Sequence, residues 1–273
     1  MAFLVAAAAS RGNVINDFSR GALCFYVRSI AINGIYRRHL QIMEYCMTDR
    51  QRLTGLLTER LDEIYKTKNN LRILQVGAND GRQFDPIYKY VKSHNNIHGI
   101  FIEPLIEYFA ALVSNYKEKT KSVFLNVGIS DADGLAKIRF VDPKAISDGA
   151  VPAWAAGIGT VEHMRNAIDG VGLSAGVEVD FSEMMLSRTI PVLALNTLLN
   201  LPFCHDIDVY ISDCEGHDGK IFLSADRALF KPSVIYMESM LMDSVELGEV
   251  QARLTSWGYL VQDDGVDLLA YLP

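Results

Sequence analysis

The stretch Ile73-Leu-Gln-Val-Gly-Ala-Asn-Asp-Gly81 joins a short apolar run to a turn that has glycine at both Gly77 and Gly81. Such a turn directly after a strand lets backbone N–H groups approach a ligand at the strand's carboxyl end, because glycine has no Cβ to collide with it. The same pattern is also typical of a tight connection between a strand and a helix. Its interpretation therefore depends on what the rest of the chain predicts.

Apolar runs of strand length alternate with helix-length connections beyond this point. Strands are predicted at 73–76, 97–102, 122–127, 209–212 and 234–237. This alternation is typical of parallel β-α-β units with both faces of the sheet covered. Two last runs, 259–262 and 268–272, flank the turn residues Asp264 and Gly265 and predict a hairpin. We predict an α/β, Rossmann-like, doubly wound and mostly parallel sheet with an antiparallel C-terminal edge strand.

Residues 1–70 have a helical pattern and form a predicted N-terminal helical extension. Its last part is amphipathic, with apolar residues at steps of three and four: Leu53, Leu56, Leu57, Leu61, Ile64 and Tyr65. Thr48 followed by Gln51 has the form of a capping box and predicts a helix start. The apolar stripe can cover the protein's own core, a second subunit or a membrane surface. Packing on the core is the commonest outcome, and a homo-oligomer through these helices is the alternative.

Residues 71–273 form the predicted ligand-binding domain, with a substrate-side insertion at about 142–189. The insertion is rich in glycine and alanine and interrupts the α/β alternation. It contains Trp154 and His163, and an aromatic face suits a sugar ring or an apolar skeleton. We predict that Trp154, His163 and Glu238 bind the substrate. Asp85 and Pro86 are predicted to begin the helix that follows the glycine turn.

Composition limits the classes of partner. The 273 residues are 49% hydrophobic and 22% charged, as in a globular protein with one large core and an appended segment. A net charge of −7 argues against nucleic acid as a partner. The four scattered cysteines lack zinc spacing, and the apolar start lacks the charged flank of a signal peptide. We expect a cytoplasmic protein without a membrane span.

A carboxylate follows the second predicted strand, at Glu103 before Pro104. An acid at this position, about 20 residues beyond the glycine turn, can accept both ribose hydroxyls of an adenosine cofactor. The turn lacks the middle glycine of a dinucleotide fingerprint, and Asp80 would repel a pyrophosphate. S-adenosyl-L-methionine has no phosphate and carries two cationic groups, which suit an acidic loop. We predict this cofactor rather than NAD, contacted by Gly77, Ala78, Asn79, Asp80, Gly81 and Glu103.

Several segments in this order resemble the FkbM family of O-methyltransferases. The likeness extends over about residues 70–272 and includes the segments 76–81, 101–104, 126–134, 154–160, 191–199 and 208–216. It implies a class I methyltransferase domain that uses S-adenosyl-L-methionine, with an acceptor hydroxyl on a carbohydrate or secondary metabolite. It also implies cofactor contacts from Pro104, Asn126, Val127, Gly128 and Asp213.

The chain departs from the family pattern at two places. Gln75 stands where many members have Asp, so the contact to the cofactor's ammonium group is predicted to be weaker or shared with Asp80. Ile211 and Ser212 replace a Lys-Ile pair. The loss of that cation changes the expected charge pairing around Asp213.

Acidic residues and a histidine follow the predicted strand 209–212, at the edge where such sheets bind ligands. Methyl transfer to a hydroxyl needs a group that accepts the hydroxyl proton, so the predicted catalytic residues are Asp213, Glu215 and His217. The alternatives are helix capping around Gly216 for both acids and a partly exposed helix-start position for His217. Asp213, Glu215 and Glu238 also carry the oxygen ligands that a divalent metal takes, but no spacing demands one and none is predicted.

Two other classes of protein stay open at this point. A catalytically silent cofactor-binding module or scaffold would need Gly77, Gly81 and Glu103, but neither Asp213 nor Glu215. An NAD(P)-dependent oxidoreductase is disfavoured by the missing middle glycine.

Overall fold

The structure is a computed structural model that describes residues 36–151, 155–161 and 184–273, with side chains described from residue 52 onward. Contacts divide the chain into two compact units, residues 1–49 and residues 50–273. The sheet and the site described below belong to the second unit. The described residues form eleven strands: β1 (Leu71–Val76), β2 (Ile97–Ile102), β3 (Val123–Leu125), β4 (Gly128–Ser130), β5 (Gly134–Val141), β6 (Gly159–Val161), β7 (Met185–Ala194), β8 (Val209–Ser212), β9 (Val234–Glu238), β10 (Leu260–Asp263) and β11 (Asp267–Tyr271).

Seven α-helices accompany these strands in the described part of the chain, together with one 3₁₀ helix (Pro202–Cys204): α1 (Tyr36–Lys68), α2 (Tyr88–Ser93), α3 (Ile106–Asn115), α4 (Pro143–Ser147), α5 (Leu195–Leu199), α6 (Asp218–Leu223) and α7 (Ser244–Ser256). The predicted helix start at Thr48 is wrong, because α1 runs through it. No glycine or proline interrupts residues 36–54, so nothing in the backbone ends the helix there. The start predicted at Pro86 is also early, since Asp85 accepts a hydrogen bond from the Ile87 N–H and forms a turn before α2.

A seven-stranded sheet is the centre of the unit, in the order β10-β11-β9-β8-β1-β2-β3. The five strands from β9 to β3 are mutually parallel. The terminal hairpin adds β11 antiparallel to β9 and β10 antiparallel to β11. The predicted mostly parallel sheet with an antiparallel C-terminal edge is confirmed.

Successive side chains of β1 point to opposite faces of this sheet, so the burial of β1 reports on both faces. Both faces are buried. Leu71 and Ile73 pack in one cluster with the α1 leucines, while Leu74 and Val76 pack in a second cluster. The second cluster also holds residues of α5, α6 and α7. Helices on both faces explain why the strands are apolar runs without polar alternation.

A second sheet, in the order β4-β7-β5-β6, was not predicted from the sequence. Its longest pairing is the antiparallel register of β5 with β7. One apolar cluster ties it to the start of α3 and consists of Leu105, Ile138, Phe140, Ile190 and Val192. Arg188 of β7 adds a bidentate pair with Glu107 of α3, at N···O distances of 2.6 and 2.8 Å. This small sheet therefore lies near the carboxyl ends of β2 and β3.

The packing of the amphipathic end of α1 on the core can be tested by mutation. Leu57 is fully buried against the sheet, whereas Glu59 two residues later is exposed. We expect Leu57→Ala to lower the free energy of unfolding by about 2–5 kcal/mol, because it removes buried methyl groups and leaves a cavity. Glu59→Ala is the matched control and should be nearly neutral. Urea unfolding of both variants makes the measurement, and equal stabilities would contradict the packing of α1 on the core.

Candidate functional site

The glycine turn after β1 contacts the end of β8. Gly77 has φ +74°, and a Cβ added there would lie 1.9 Å from the carbonyl oxygen of Asp213. The Asp213 N–H donates to the Val76 carbonyl at 3.1 Å, and the Gly77 and Ala78 N–H groups donate to the Ile102 carbonyl at 3.0 and 2.9 Å. The ends of β1, β2 and β8 are therefore joined directly, and this junction requires glycine at position 77.

A cavity of about 730 Å³ lies at this edge, between the central sheet and the small sheet. Its size is within the range of small-molecule sites. Most of the residues predicted from the sequence line it: Gly77, Ala78, Asn79, Glu103, Pro104, Val127, Gly128, Asp213, Glu215, His217 and Glu238. Apolar residues of the small sheet, including Ile138, Ile190 and Val192, form part of its wall. Trp154 and His163 lie outside the described residues.

Three predicted cofactor residues are placed beside the cavity rather than on its wall. The Asp80 carboxylate accepts hydrogen bonds from the N–H groups of Arg82 and Gln83, both at 2.8 Å, and so closes the turn. A Cβ on Gly81 would collide with side chains of α3 and Tyr116. The Asn126 amide donates to the carbonyls of Glu103 and Pro104. These residues shape the loops that line the cavity.

The Glu103 carboxylate is buried and held by two backbone groups. Its Oε2 accepts from the Asn79 N–H at 2.9 Å, and its Oε1 accepts from the Leu105 N–H at 2.7 Å. Burial raises the pKa of Glu103 to about 7, although both hydrogen bonds oppose that shift. The acid is therefore fixed in orientation at the end of β2.

Gln75 and Asp85 form an acceptor pair that the sequence did not predict as a site. The Gln75 Nε2 donates to Asp85 Oδ2 at 3.0 Å, and both residues line the cavity. Gln75 Oε1 is buried and meets no hydrogen-bond donor among the described residues. Burial against surrounding protein atoms raises the pKa of Asp85. The residue is half-buried and lines the cavity. The departure from the family pattern at Gln75 is the only signal of this pair in the sequence, because Asp85 before Pro86 has the pattern of a helix start.

The loop between β8 and α6 brings the predicted catalytic residues together. Asp213, Glu215 and His217 line the cavity with Glu238, which ends the neighbouring strand β9. Burial, and then the charge of Asp213, raise the pKa of Glu238 well above its usual range. Burial lowers the pKa of His217, so its imidazole is neutral at pH 7. The edge thus combines a neutral imidazole with a glutamate that favours its protonated form.

The described residues contain no group of three or more His, Cys, Asp or Glu arranged to hold a metal ion. Within the same part of the chain, no helix has both the length and the apolar character needed to cross a bilayer.

Comparison with known proteins identifies the family. The model of the methyltransferase FkbM domain matches residues 75–261, which include the β1 turn, Glu103 and the whole β8 loop. The chain belongs to the FkbM methyltransferase family. It is a methyltransferase that depends on S-adenosyl-L-methionine, with the Rossmann-like fold of class I.

Several solved structures resemble the chain at low identity. The precorrin-6y C5,15-methyltransferase of Geobacter metallireducens GS-15 is 12% identical over 82% of this chain and 88% of that chain, with a TM-score of 0.39. The fibrillarin pre-rRNA processing protein of Methanococcus jannaschii is 11% identical over 74% and 66%, with a TM-score of 0.38. The Bacillus cereus O-methyltransferase in complex with SAH is 9% identical over 92% and 97%, with a TM-score of 0.37. A search of curated proteins found no match.

The raised pKa of Glu238 predicts a dependence of stability on pH. The folded protein holds a proton that the unfolded chain releases near pH 4.3. The stabilising contribution is therefore complete below that pH and is lost as the pH rises toward the folded-state pKa. We expect Glu238→Gln to remove this loss and to be more stable than the parent at pH 8, by more than about 1.4 kcal/mol.

The stability advantage of Glu238→Gln should shrink as the pH falls toward 5. Chemical unfolding between pH 5 and pH 9 measures the difference. Exposed Glu249→Gln on α7 is the matched control and should show no such trend. A stability difference that is constant across this range would contradict the buried, protonated state of Glu238.

Proposed function

We propose that this chain transfers the methyl group of S-adenosyl-L-methionine to a hydroxyl oxygen of a carbohydrate or secondary metabolite. The supporting observation is that one cavity is lined both by the oriented acid Glu103 and by two candidate proton acceptors, Asp213 and His217. A cofactor end and a reactive end therefore share a single space. A cytoplasmic location and a homo-oligomer through the N-terminal helices stay predictions.

The lining suits a cationic adenosine cofactor. Glu103, with its carboxylate held by two N–H groups, is placed to accept the ribose hydroxyls, as strand-end acids do in Rossmann-like sites. Gln75 Oε1 and the Asp85 carboxylate are hydrogen-bond acceptors. They suit the ammonium group of the cofactor, because an ammonium group has hydrogen-bond donors and no acceptor. When bound, the cofactor supplies an electrophilic methyl group on a sulfonium. The residues present therefore fit the group that the family requires.

The small sheet provides the proposed acceptor side. Ile138, Ile190 and Val192 give an apolar wall, which suits the C–H face of a sugar or an apolar skeleton. Trp154 and His163 are proposed to extend this side. Glu238, which favours its protonated form, can donate a hydrogen bond to an acceptor oxygen.

The β8 loop supplies the proposed proton acceptors. Attack by a hydroxyl on a methyl group releases the hydroxyl proton, so a base within hydrogen-bond reach accelerates the step. His217 is neutral and buried at this edge, and we assign it as the base. Asp213 orients the acceptor hydroxyl or takes the proton in its place, and Glu215 completes the acidic side.

Two ligands distinguish the protein's contacts to the amino-acid end of the cofactor from its contacts to the ribose. S-adenosylhomocysteine keeps the amino-acid end that methylthioadenosine lacks, while both have the ribose. We expect Asp85→Asn to weaken S-adenosylhomocysteine binding by about tenfold or more and to leave methylthioadenosine binding nearly unchanged, because it removes a charged partner of the ammonium group. Glu103→Gln should weaken both ligands, since each contacts the protein through the ribose.

Calorimetry measures these affinities, with Glu249→Gln as the control that should change neither. Equal losses for both ligands in Asp85→Asn would contradict the ammonium assignment. Unchanged affinity in Glu103→Gln would contradict the ribose assignment.

The reactive edge is tested by turnover. Labelled S-adenosyl-L-methionine and a glycan or metabolite extract first identify an acceptor. We then expect His217→Gln to lower methyl transfer by about two to four powers of ten while cofactor affinity survives. A larger loss in Asp213→Asn than in His217→Gln would instead assign the proton to Asp213. Near-normal turnover in both variants would remove this edge from the mechanism.

A further inference from the structure

Phe84 is an exposed aromatic residue where the cavity opens to solvent. It belongs to the loop between the glycine turn and α2, it is 67% exposed, and it lines the cavity. A single exposed apolar residue needs no explanation by itself. The backbone of Phe84 does, because its φ of +59° lies in the left-handed region. For a bulky residue this conformation is an outlier that persists only where neighbouring contacts impose it.

Hydrogen bonds on both sides of Phe84 impose this conformation. The N–H of Gln83 donates to the Asp80 carboxylate at 2.8 Å. The Asp85 carboxylate accepts from the N–H of Ile87 at 2.7 Å. The loop is therefore fixed one residue before and one residue after Phe84. Glycine would adopt the same backbone without strain, so the presence of phenylalanine here indicates a role for the ring itself.

Leu135 provides a second exposed apolar side chain, on a different wall of the cavity. It lies at the start of β5, opposite Pro191 of β7, and is 75% exposed. Among the exposed large hydrophobic residues in the described part of the chain, only Phe84 and Leu135 line the cavity. We call these two residues the apolar rim. Two elements far apart in the sequence thus each present an apolar side chain where the cavity opens.

The proposed binding mode of the cofactor does not account for the apolar rim. In that mode Glu103 accepts the ribose hydroxyls, while Gln75 and Asp85 bind the ammonium group. Phe84 directly precedes Asp85, so it lies beside the charged amino-acid end of the cofactor. The adenine, which is the aromatic part, is attached to the other side of the ribose. Leu135 belongs to the small sheet, which is the proposed acceptor side. The apolar partner of the rim is therefore a part of the acceptor.

We propose that the methyl acceptor is a hydroxyl attached to an apolar skeleton, and that Phe84 and Leu135 bind this skeleton where the cavity opens. The proposal rests on the proposed function and selects one of its two acceptor classes, an apolar secondary metabolite instead of a free carbohydrate. The hydroxyl enters the cavity, and the skeleton covers both rim side chains. Binding is favoured because apolar surface that is exposed in the free protein is removed from water.

The polarity of the acceptor tests this class directly. A metabolite extract is separated on a reversed-phase column into a retained, apolar fraction and an unretained, polar fraction, and each is incubated with the protein and labelled S-adenosyl-L-methionine. We expect labelled product from the retained fraction. Labelled product from the unretained fraction alone would overturn the proposal and leave the proposed function standing. No labelled product from either fraction would contradict the proposed function, and the proposal with it.

Variants of the apolar rim test the two residues separately. We expect Phe84→Ala and Leu135→Ala each to raise the KM for the acceptor purified from the retained fraction by about tenfold or more, because less apolar surface is buried on binding. The affinity for S-adenosylhomocysteine should not change. Phe84→Leu keeps an apolar side chain and should recover most of the loss. Leu260→Ala is the matched control, since Leu260 is exposed on β10 and does not line the cavity. An unchanged KM in both rim variants would overturn the proposal.

Phe84→Gly separates a binding role of the ring from a structural one. Glycine adopts a φ of +59° without strain, and the exposed ring contributes little buried surface to the folded protein. We therefore expect Phe84→Gly to unfold at the same urea concentration as the parent and to show the same rise in the KM for the acceptor as Phe84→Ala. A loss of stability without a rise in KM would show that the ring supports the fold, and would overturn the proposal.

Discussion

The contact between Gly77 and the Asp213 backbone is the constraint on which the site depends. A side chain at position 77 would overlap the Asp213 carbonyl, so the turn after β1 and the loop after β8 can meet only through glycine. The hydrogen bonds from Gly77 and Ala78 to Ile102 connect the same turn to β2. Three strand ends therefore share one edge, and the side chains that follow them face one cavity.

The charge of that cavity is the second consequence. Burial raises the pKa of Glu103, Asp85 and Glu238, so each acid is less stable as an anion than it would be in water. A ligand that carries positive charge reverses this penalty, because it stabilises the ionised forms. The site is thus electrostatically suited to a cationic cofactor and unsuited to a pyrophosphate.

The small sheet adds the remaining wall and the contact to His217. Its apolar cluster with Leu105 and the Arg188–Glu107 pair attach it to the start of α3. Thr160 of β6 also donates to the Glu215 carbonyl at 3.2 Å, which joins the sheet to the β8 loop. The element that forms the proposed acceptor side therefore also contacts the loop that carries the proposed base.

Local patterns were sufficient for the strands of the central sheet and for the terminal hairpin, because apolar runs and turn residues depend on neighbours in the chain. The capping pattern at Thr48 predicted a helix start that is wrong, since the same residues also fit inside a continuous helix. The small sheet was not predicted because its main pairing, between β5 and β7, joins segments some fifty residues apart. Only the tertiary structure shows two hydrogen-bonded contacts, that of Gln75 with Asp85 and that of Ser130 with His217. Proton positions and pKa values depend on burial and on partners distant in sequence, which folding alone brings within hydrogen-bond reach.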